Sequence, residues 1–224
     1  MKKILIITDA WEPQVNGVVT TMTTVVKKLK ERNFKVEVIH PGMFHTFPLP
    51  NYPEISVAWN FWDLKKKIEK FDADYMHISV EGPLGVTGRH YCLENNIPYT
   101  TCIHTKFPEY VYERFGIGLD VTKGLLKWFH NPAAKTLVNT ISHKEELEQD
   151  GFTNLVLWSR GFDEKIFYPC PDGGKKEYLL YVGRVAVEKN IEEFLKMPSH
   201  LPKVVVGGGP SLKSYAKKYP DVEF

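Results

Sequence analysis

Short apolar runs alternate along this chain with stretches in which apolar residues recur every three or four positions. The run at 3–8 predicts a buried strand, and Val18, Met22, Val25 and Leu29 then fall on one face of a helix. The same order of strand, loop and helix repeats down the chain. Further strands are predicted at 35–39, 55–58, 75–80, 99–103, 135–141 and 155–158, and a loop at 41–53. Further helices are predicted at 62–71, from the EGPLG segment (81–85) to about 95, and at 144–150. Strands that alternate with helices predict an α/β fold with a parallel sheet covered on both faces.

A segment rich in proline and glycine, PCPDGGKK at 169–176, interrupts this pattern and predicts a linker. It separates a Rossmann-like domain at 1–170 from a second unit at 177–224. In that unit the pattern restarts, with strands predicted at 178–182 and 203–206, helices at 188–196 and 211–218, and a further strand from 222. Two strand–helix repeats correspond to half of a doubly wound domain.

Composition narrows the class of protein. The chain of 224 residues is 43% hydrophobic and 25% charged, with a net charge of +2, which is typical of a globular protein and gives no reason to expect nucleic acid as a partner. The apolar run near the N-terminus is too short for a signal sequence. Three scattered cysteines, with no CxxC pair, predict reduced thiols in a cytoplasmic protein without a zinc site.

Ligands of open α/β sheets bind at the carboxyl ends of the strands. Asn16 and Gly17 follow the first strand at a helix start, where free amides favour a phosphate or a sugar hydroxyl. The alternative is a helix cap followed by a turn glycine. His104 follows the strand at 99–103 and is placed to touch a substrate, although a lone histidine is more often structural.

The second unit offers two cations at the corresponding position. Arg184 follows a strand and Lys189 begins the next helix, so both side chains could converge on a diphosphate. Cations held there would stabilise the charge that develops on a leaving diphosphate. The alternative is two solvated surface cations. The turn at 207–210, GGGP, lacks the full GxGxxG fingerprint and disfavours an NAD-dependent oxidoreductase.

Asp72 and Asp74 form a DxD sequence, a pattern of two carboxylates that can bind a metal ion. Here the two residues precede the strand at 75–80, at its amino end. We therefore interpret them as a solvated turn.

Six segments, in order, resemble Glycosyltransferase family 4, the retaining GT-B enzymes, and most closely its bacterial mannosyltransferase and sulfoquinovosyltransferase-like branch. They are TDAWEPQVNGVVTT (8–21), EGPLG (81–85), HTKFPEY (104–110), WSRGFDEKIFYP (158–169), YVGRVAVEKN (181–190) and VVVGGGP (204–210). The resemblance implies transfer of a sugar from a nucleoside diphosphate to an acceptor hydroxyl, with retention, in a cleft between two Rossmann-like domains. It implies no metal and no cofactor beyond the nucleotide sugar.

The resemblance also implies roles for individual residues. His104, Arg184 and Lys189 match catalytic positions, Asn16, Gly17 and Gly208 match the sugar-donor site that Arg184 and Lys189 share, and Glu81 and Tyr110 match the acceptor side. Arg160 and Asp163 match an RGxD element to which the resemblance assigns a mainly structural role.

The family carries a Glu-x7-Glu element beyond the GGGP turn, and the sequence ends at Phe224 before it. We therefore expect a truncated chain that transfers sugar poorly by itself, with 177–224 self-associating or more mobile than the first domain. The alternative function is a non-catalytic sugar- or acceptor-binding fragment. The acceptor is expected to be a carbohydrate or a lipid-linked molecule. Lysines at 27, 28, 30 and 65–67 add positive charge to two helices, which would allow peripheral contact with a membrane; the alternative is a solvated face.

Overall fold

A computed structural model describes residues 1–49, 52–105, 118–169 and 177–224, which form two compact units, Met1–Gly161 and Phe162–Phe224. Apart from Pro169, the predicted linker at 169–176 lies outside the described residues. The first unit contains β1 (Lys3–Ile7), α1 (Gly17–Glu31), β2 (Lys35–Ile39), β3 (Thr46–Leu49), β4 (Tyr52–Ala58), α2 (Leu64–Phe71), β5 (Tyr75–Ile78), α3 (Pro83–Glu94), β6 (Tyr99–Cys102), α4 (Leu119–His130), β7 (Lys135–Val138), α5 (Ile141–Gln149) and β8 (Leu155–Leu157).

Six of these strands form one parallel sheet in the order β2-β1-β5-β6-β7-β8, which confirms the predicted α/β class. The direction of strand addition reverses at β1, because β2 lies on one side of it and β5 on the other. Such a reversal opens a crevice at the carboxyl ends of the two central strands, where α/β proteins bind ligands. The loops after β1 and β5 therefore border the crevice in which a ligand-binding site is expected.

The two faces of this sheet are covered unequally. On one face, Leu5, Ile7 and Ile78 pack in a buried cluster with residues of α2, α3 and α4. On the other face, α1 packs against Ile6 through Met22 and Val26. Beside α1 lies an apolar groove of about 450 Å³, lined by Ile4, Ile6, Met22, Val25, Leu29, Tyr75, Met76, His77, Pro98, Tyr99, Thr100, Ala134, Leu137 and Trp158. Among the described residues, no helix covers this part of the sheet.

Two further elements differ from the sequence predictions. The loop predicted at 41–53 contains β3, which pairs antiparallel with β4 through Phe47 and Val57. Helix α4 was not predicted, because Val121, Leu125 and Trp128 are exposed on its outer side and obscure the periodicity of its buried positions.

The second unit contains β9 (Leu179–Val182), α6 (Ile191–Lys196), β10 (Lys203–Val206), α7 (Leu212–Lys218) and β11 (Val222–Glu223), with a parallel sheet in the order β11-β10-β9. Both helices contribute to one cluster around the buried Val205. The predicted helix at 188–196 is interrupted, because Asn190 adopts a left-handed backbone conformation (φ 45°) between a 3-10 turn and α6. Leu180, Val182 and Val206 are exposed.

None of the helices in the described part of the chain is long and apolar enough to cross a membrane.

Candidate functional site

Polar side chains gather where the strands of the first unit end. They belong to Asp9 after β1, Ser79 and Glu81 after β5, His104 after β6, Asn139 after β7 and Arg160 after β8. The carboxyl ends of parallel strands lie along one edge of a sheet, so these residues share the edge at which the crevice opens.

Helix α1 begins in this crevice. The side chain of Asn16 accepts hydrogen bonds from the amides of Val18 and Val19, both at 3.0 Å, so Asn16 acts as the helix cap. The position of Gly17 is open, because a Cβ atom added there would meet only Nη1 of Arg160, at 3.9 Å. The glycine is therefore not required by packing, and it leaves the helix start accessible to a ligand beside a guanidinium group.

The ring of His104 is engaged at both nitrogens. Its Nδ1 lies 3.0 Å from Nη2 of Arg160, and its Nε2 lies 3.1 Å from Oγ of Ser79. The main-chain oxygen of His104 also accepts a hydrogen bond from Nη2 of Arg160 at 3.0 Å. Arg160 in turn donates from Nε to Oδ1 of Asn139 at 3.2 Å. One arginine thus ties the loops after β6, β7 and β8 together.

The environment of His104 disfavours its charged form. Burial lowers the pKa of His104 to about 4, and the positive charge of Arg160 acts in the same direction. The ring is therefore neutral at physiological pH.

A second histidine, His130 at the end of α4, lies in a buried polar network. Its Nε2 lies 3.0 Å from Oε1 of Glu81, and its Nδ1 lies 2.9 Å from Oγ1 of Thr101. Thr101 bonds to Oγ1 of Thr136 at 2.9 Å, and Thr136 donates to the main-chain oxygen of His130 at 3.3 Å. Because Thr136 uses its hydrogen on that carbonyl, Thr101 donates to Thr136, and Nδ1 of His130 donates to Thr101. One proton is then shared between Nε2 of His130 and Glu81.

Asp9 stabilises the start of α3 from another strand. Its two carboxylate oxygens accept hydrogen bonds from the amides of Leu84 and Gly85, both at 3.0 Å. The cap position itself is Gly82, where a Cβ atom would lie 2.3 Å from the Asp9 carboxyl carbon. Burial raises the pKa of Asp9 to about 6, although both amide hydrogen bonds oppose this shift. The motif at 81–85 therefore contains, besides Glu81, a glycine that is needed to make room for the Asp9 carboxylate.

The second unit positions its candidate cations on a loop supported by the GGGP turn. The amide of Val185 donates to the oxygen of Gly208 at 2.8 Å. A Cβ atom at Gly207 would lie 1.9 Å from the oxygen of Gly183, so glycine is required there by the close approach of the two loops. Gly208 itself has no atom near its added Cβ and remains open to a ligand.

Arg184 lies on this supported loop and is half-buried. Lys189 ends the 3-10 turn before α6 and is exposed. Their shared role at a diphosphate stays a prediction.

The remaining candidate residues are Tyr110, Asp72 and Asp74. Tyr110 lies outside the described residues. Asp74 accepts a hydrogen bond from the amide of Lys3 at 2.6 Å, and Asp72 pairs with the Lys3 ammonium at 3.4 Å, both at the amino ends of the strands. The solvated-turn interpretation is consistent with these contacts. Within residues 1–49, 52–105, 118–169 and 177–224, no group of three histidine, cysteine or acidic side chains is arranged to hold a metal ion.

Sequence reasoning missed several residues of this site. Ser79, Asn139 and His130 gave no motif signal, since each acquires its role only through a partner on another strand or helix. Arg160 gave a signal in the RGxD element but was assigned a structural role. Its contact with His104 places it in the site.

Comparison with known proteins identifies the family and the fold to which this chain is similar. The family model of Glycosyltransferase Family 4 matches residues 15–166. A GDP-mannose-dependent alpha-mannosyltransferase of Corynebacterium glutamicum is 24% identical over 99% of this chain and 61% of its own length. An enzyme of the same name from Mycobacterium tuberculosis is 24% identical over 92% of this chain and 63% of its own length. Sulfoquinovosyl transferase SQD2 of Arabidopsis thaliana is 23% identical over 92% of this chain and 46% of its own length.

Among solved structures, the S. aureus MnaA-UDP co-structure aligns with a TM-score of 0.58 and 15% identity, over 100% of this chain and 68% of that chain. At this identity the likeness concerns the fold, and it confirms the GT-B type predicted from the sequence. The chain spans about three-fifths of the length of the two mannosyltransferases.

Proposed function

Because the chain belongs to Glycosyltransferase Family 4, we propose that it acts in the transfer of a sugar from a nucleoside diphosphate to an acceptor hydroxyl. The observation that carries this proposal is the match of the family model to residues 15–166, since that span builds the crevice with Gly17, His104 and Arg160. The sugar donor would approach the open start of α1 at Gly17, and His104 would line the reaction centre.

Retention of anomeric configuration is part of this proposal. An inverting transfer needs a base that removes the proton of the acceptor hydroxyl. Two carboxylates at the crevice are already engaged, Asp9 by two amides and Glu81 by His130. His104 accepts a hydrogen bond from Arg160 at the nitrogen that a base would use. This arrangement supports a reaction in which the departing diphosphate itself receives the acceptor proton.

We propose that Arg184 and Lys189 hold the diphosphate. Arg184 offers two parallel N–H groups to phosphate oxygens, and Lys189 adds a compact charge. As the glycosidic bond breaks, negative charge grows on the diphosphate, so these cations stabilise the transition state more than the ground state. The reaction would then need neither a metal ion nor a cofactor beyond the nucleotide sugar. Three mannosyltransferase relatives make GDP-mannose the first donor to test.

The test combines binding and turnover. Calorimetry with GDP and UDP measures binding, and a mass-spectrometric assay with GDP-mannose measures transfer and hydrolysis, with and without EDTA. Arg184→Ala and Lys189→Ala should each weaken nucleotide binding or turnover by roughly 10² or more. Lys213→Ala, which removes an exposed lysine of α7, is the matched control.

Three outcomes are informative. Nucleotide binding without transfer would favour the alternative, a non-catalytic binding fragment. Activity that EDTA abolishes and Mn²⁺ restores would contradict the metal-free reaction and redirect attention to Asp72 and Asp74. Variants of Arg184 and Lys189 that match the control would contradict the proposed diphosphate grip.

We also propose that the protein touches a membrane surface, where a lipid-linked acceptor would be met. The supporting feature is an aromatic patch formed by Phe47, Trp59, Phe61 and Trp62, all exposed. The rings of Trp59 and Trp62 contact edge to face, with centroids 5.6 Å apart. Helix α2 follows directly and carries exposed lysines at 65, 66 and 70. Clustered indoles beside lysines suit the interface of an anionic bilayer.

A further inference from the structure

We propose that Arg160 is a positioning residue that holds His104 in one tautomer, with the proton on Nε2 and directed at Ser79. The proposal deepens the proposed function, because it states in which form His104 meets the substrate. It rests on contacts that join residues 56 positions apart in sequence.

The direction of the hydrogen bonds settles the tautomer. A guanidinium group has only N–H donors and stays charged at every accessible pH, so at 3.0 Å it can only donate to Nδ1 of His104. Nδ1 therefore carries no proton, and the proton of the neutral ring lies on Nε2. Nε2 then donates to the hydroxyl oxygen of Ser79 at 3.1 Å.

Cys102 also favours the tautomer of His104 in which Nδ1 carries no proton. The sulfur of Cys102 lies 3.7 Å from Nδ1 of His104. Burial raises the pKa of Cys102 to about 12, so this group is a thiol and can donate its weak S–H hydrogen bond. Arg160 and Cys102 thus both present hydrogens to Nδ1.

The main chain of His104 is held by the same arginine. Nη2 of Arg160 donates to its carbonyl oxygen at 3.0 Å, and the Asn139 amide donates to the same oxygen at 3.4 Å. Asn139 is itself bonded to Nε of Arg160. Ring orientation and backbone position of His104 therefore depend on one side chain, and that side chain is anchored to β7.

Other charged groups near His104 do not reverse this arrangement. Glu81 favours a charged His104 ring, but its carboxylate is bonded to His130 at 3.0 Å. His130 opposes a charge on His104, and His104 in turn disfavours the charged form of His77. Because Arg160 donates a hydrogen bond to Nδ1, the ring of His104 stays neutral. It provides a fixed polar surface in the site and does not transfer protons.

Nuclear magnetic resonance of ¹⁵N-histidine in the 224-residue chain tests this inference without any assay of transfer. The ring signals of His104 are identified by their loss in His104→Asn. Wild-type protein should show the Nε2–H tautomer alone from pH 5.5 to 8.5. Arg160→Met should give a mixture of tautomers, and its titration midpoint should move from about 4 toward about 6.5, the ordinary value for histidine.

Two further variants complete the experiment. Arg160→Lys retains a cationic hydrogen-bond donor and should preserve the Nε2–H tautomer. This variant keeps the inference testable if the methionine variant does not fold. Arg32→Met removes an exposed arginine at the end of α1 and should leave His104 unchanged. An Nδ1–H tautomer in wild type, or unchanged signals in Arg160→Met, would overturn the inference. A tautomer shift with unaltered sugar transfer would instead uphold it and contradict the proposed role of His104 in the reaction.

Discussion

The Oε1 atom of Glu81 lies 3.0 Å from Nε2 of His130, although 49 positions separate the two residues. The side chain of His130 is 1% exposed and that of Glu81 is 18% exposed, so the pair reaches from the core to the crevice. Glu81, predicted on the acceptor side, is therefore not a free carboxylate. An acceptor that contacts Glu81 will therefore contact a carboxylate that is already hydrogen-bonded to His130.

The first prediction concerns this pair. His130→Phe keeps an aromatic ring but leaves Glu81 and Thr101 without their partner, so the free energy of unfolding should fall by about 2–4 kcal/mol. Urea denaturation measures the loss. The double variant His130→Phe/Glu81→Leu no longer carries an unpaired carboxylate and should lose less than the sum of the two single variants. Strict additivity would mean that the pair contributes no coupling energy.

The second prediction concerns Gly17. A methyl group there would contact only Arg160, at an ordinary distance of 3.9 Å, so Gly17→Ala should fold normally. It should nevertheless weaken nucleotide-sugar binding by about 10-fold or more, because the methyl group occupies the space that the sugar donor needs. Gly124→Ala in α4, where an added Cβ has no neighbour within 4 Å, is the matched control for calorimetry. Equal binding by both variants would remove Gly17 from the site.

The third prediction uses the pH dependence of stability. The pKa of Asp9 is raised from 3.8 to about 6 in the folded protein, so its contribution is fully present below pH 3.8 and is lost as pH rises through 6. His77 and His104, whose pKa values are lowered to about 4, act in the opposite direction and stabilise the fold as pH rises.

Comparison with Asp9→Asn isolates the carboxylate from the histidines. The stability difference between wild type and variant should fall by about 2 kcal/mol between pH 4 and pH 7. Asp120→Asn, at an exposed acid of α4, is measured in parallel as a control for the removal of one carboxyl group. A stability difference for Asp9→Asn that does not change between pH 4 and pH 7 would mean that the pKa of Asp9 is not raised.

The fourth prediction concerns the aromatic patch. The chain should sediment with vesicles that contain phosphatidylglycerol, more weakly with neutral vesicles, and less at high salt. Trp59→Ala/Trp62→Ala should reduce this binding by at least about 10-fold, since buried indoles supply the apolar part of the affinity. Phe162→Ala/Phe167→Ala removes two exposed aromatic rings elsewhere and is the control. If the tryptophan variant binds vesicles as well as the phenylalanine control does, another surface of the protein makes the contact.

Local patterns in the sequence determined the order of strands and helices, the parallel sheet and the family. These features depend on periodicity and on motifs a few residues long, which a chain carries whatever its distant neighbours are. Gly17, at the start of the helix after the first strand, and His104, shortly after a strand, were predicted as site residues from the same kind of local pattern. Exposed apolar residues on α4 and the left-handed Asn190 show where periodicity fails.

Tertiary structure decided which side chains meet. Asp9 reaches the start of α3, Glu81 reaches His130, and Arg160 reaches His104, over separations of 75, 49 and 56 positions. These pairs depend on the strand order β2-β1-β5-β6-β7-β8, which brings together the ends of strands that are far apart in sequence. The protonation and tautomer of each group follow from burial and from the donors that face it, and both exist only once the sheet has formed.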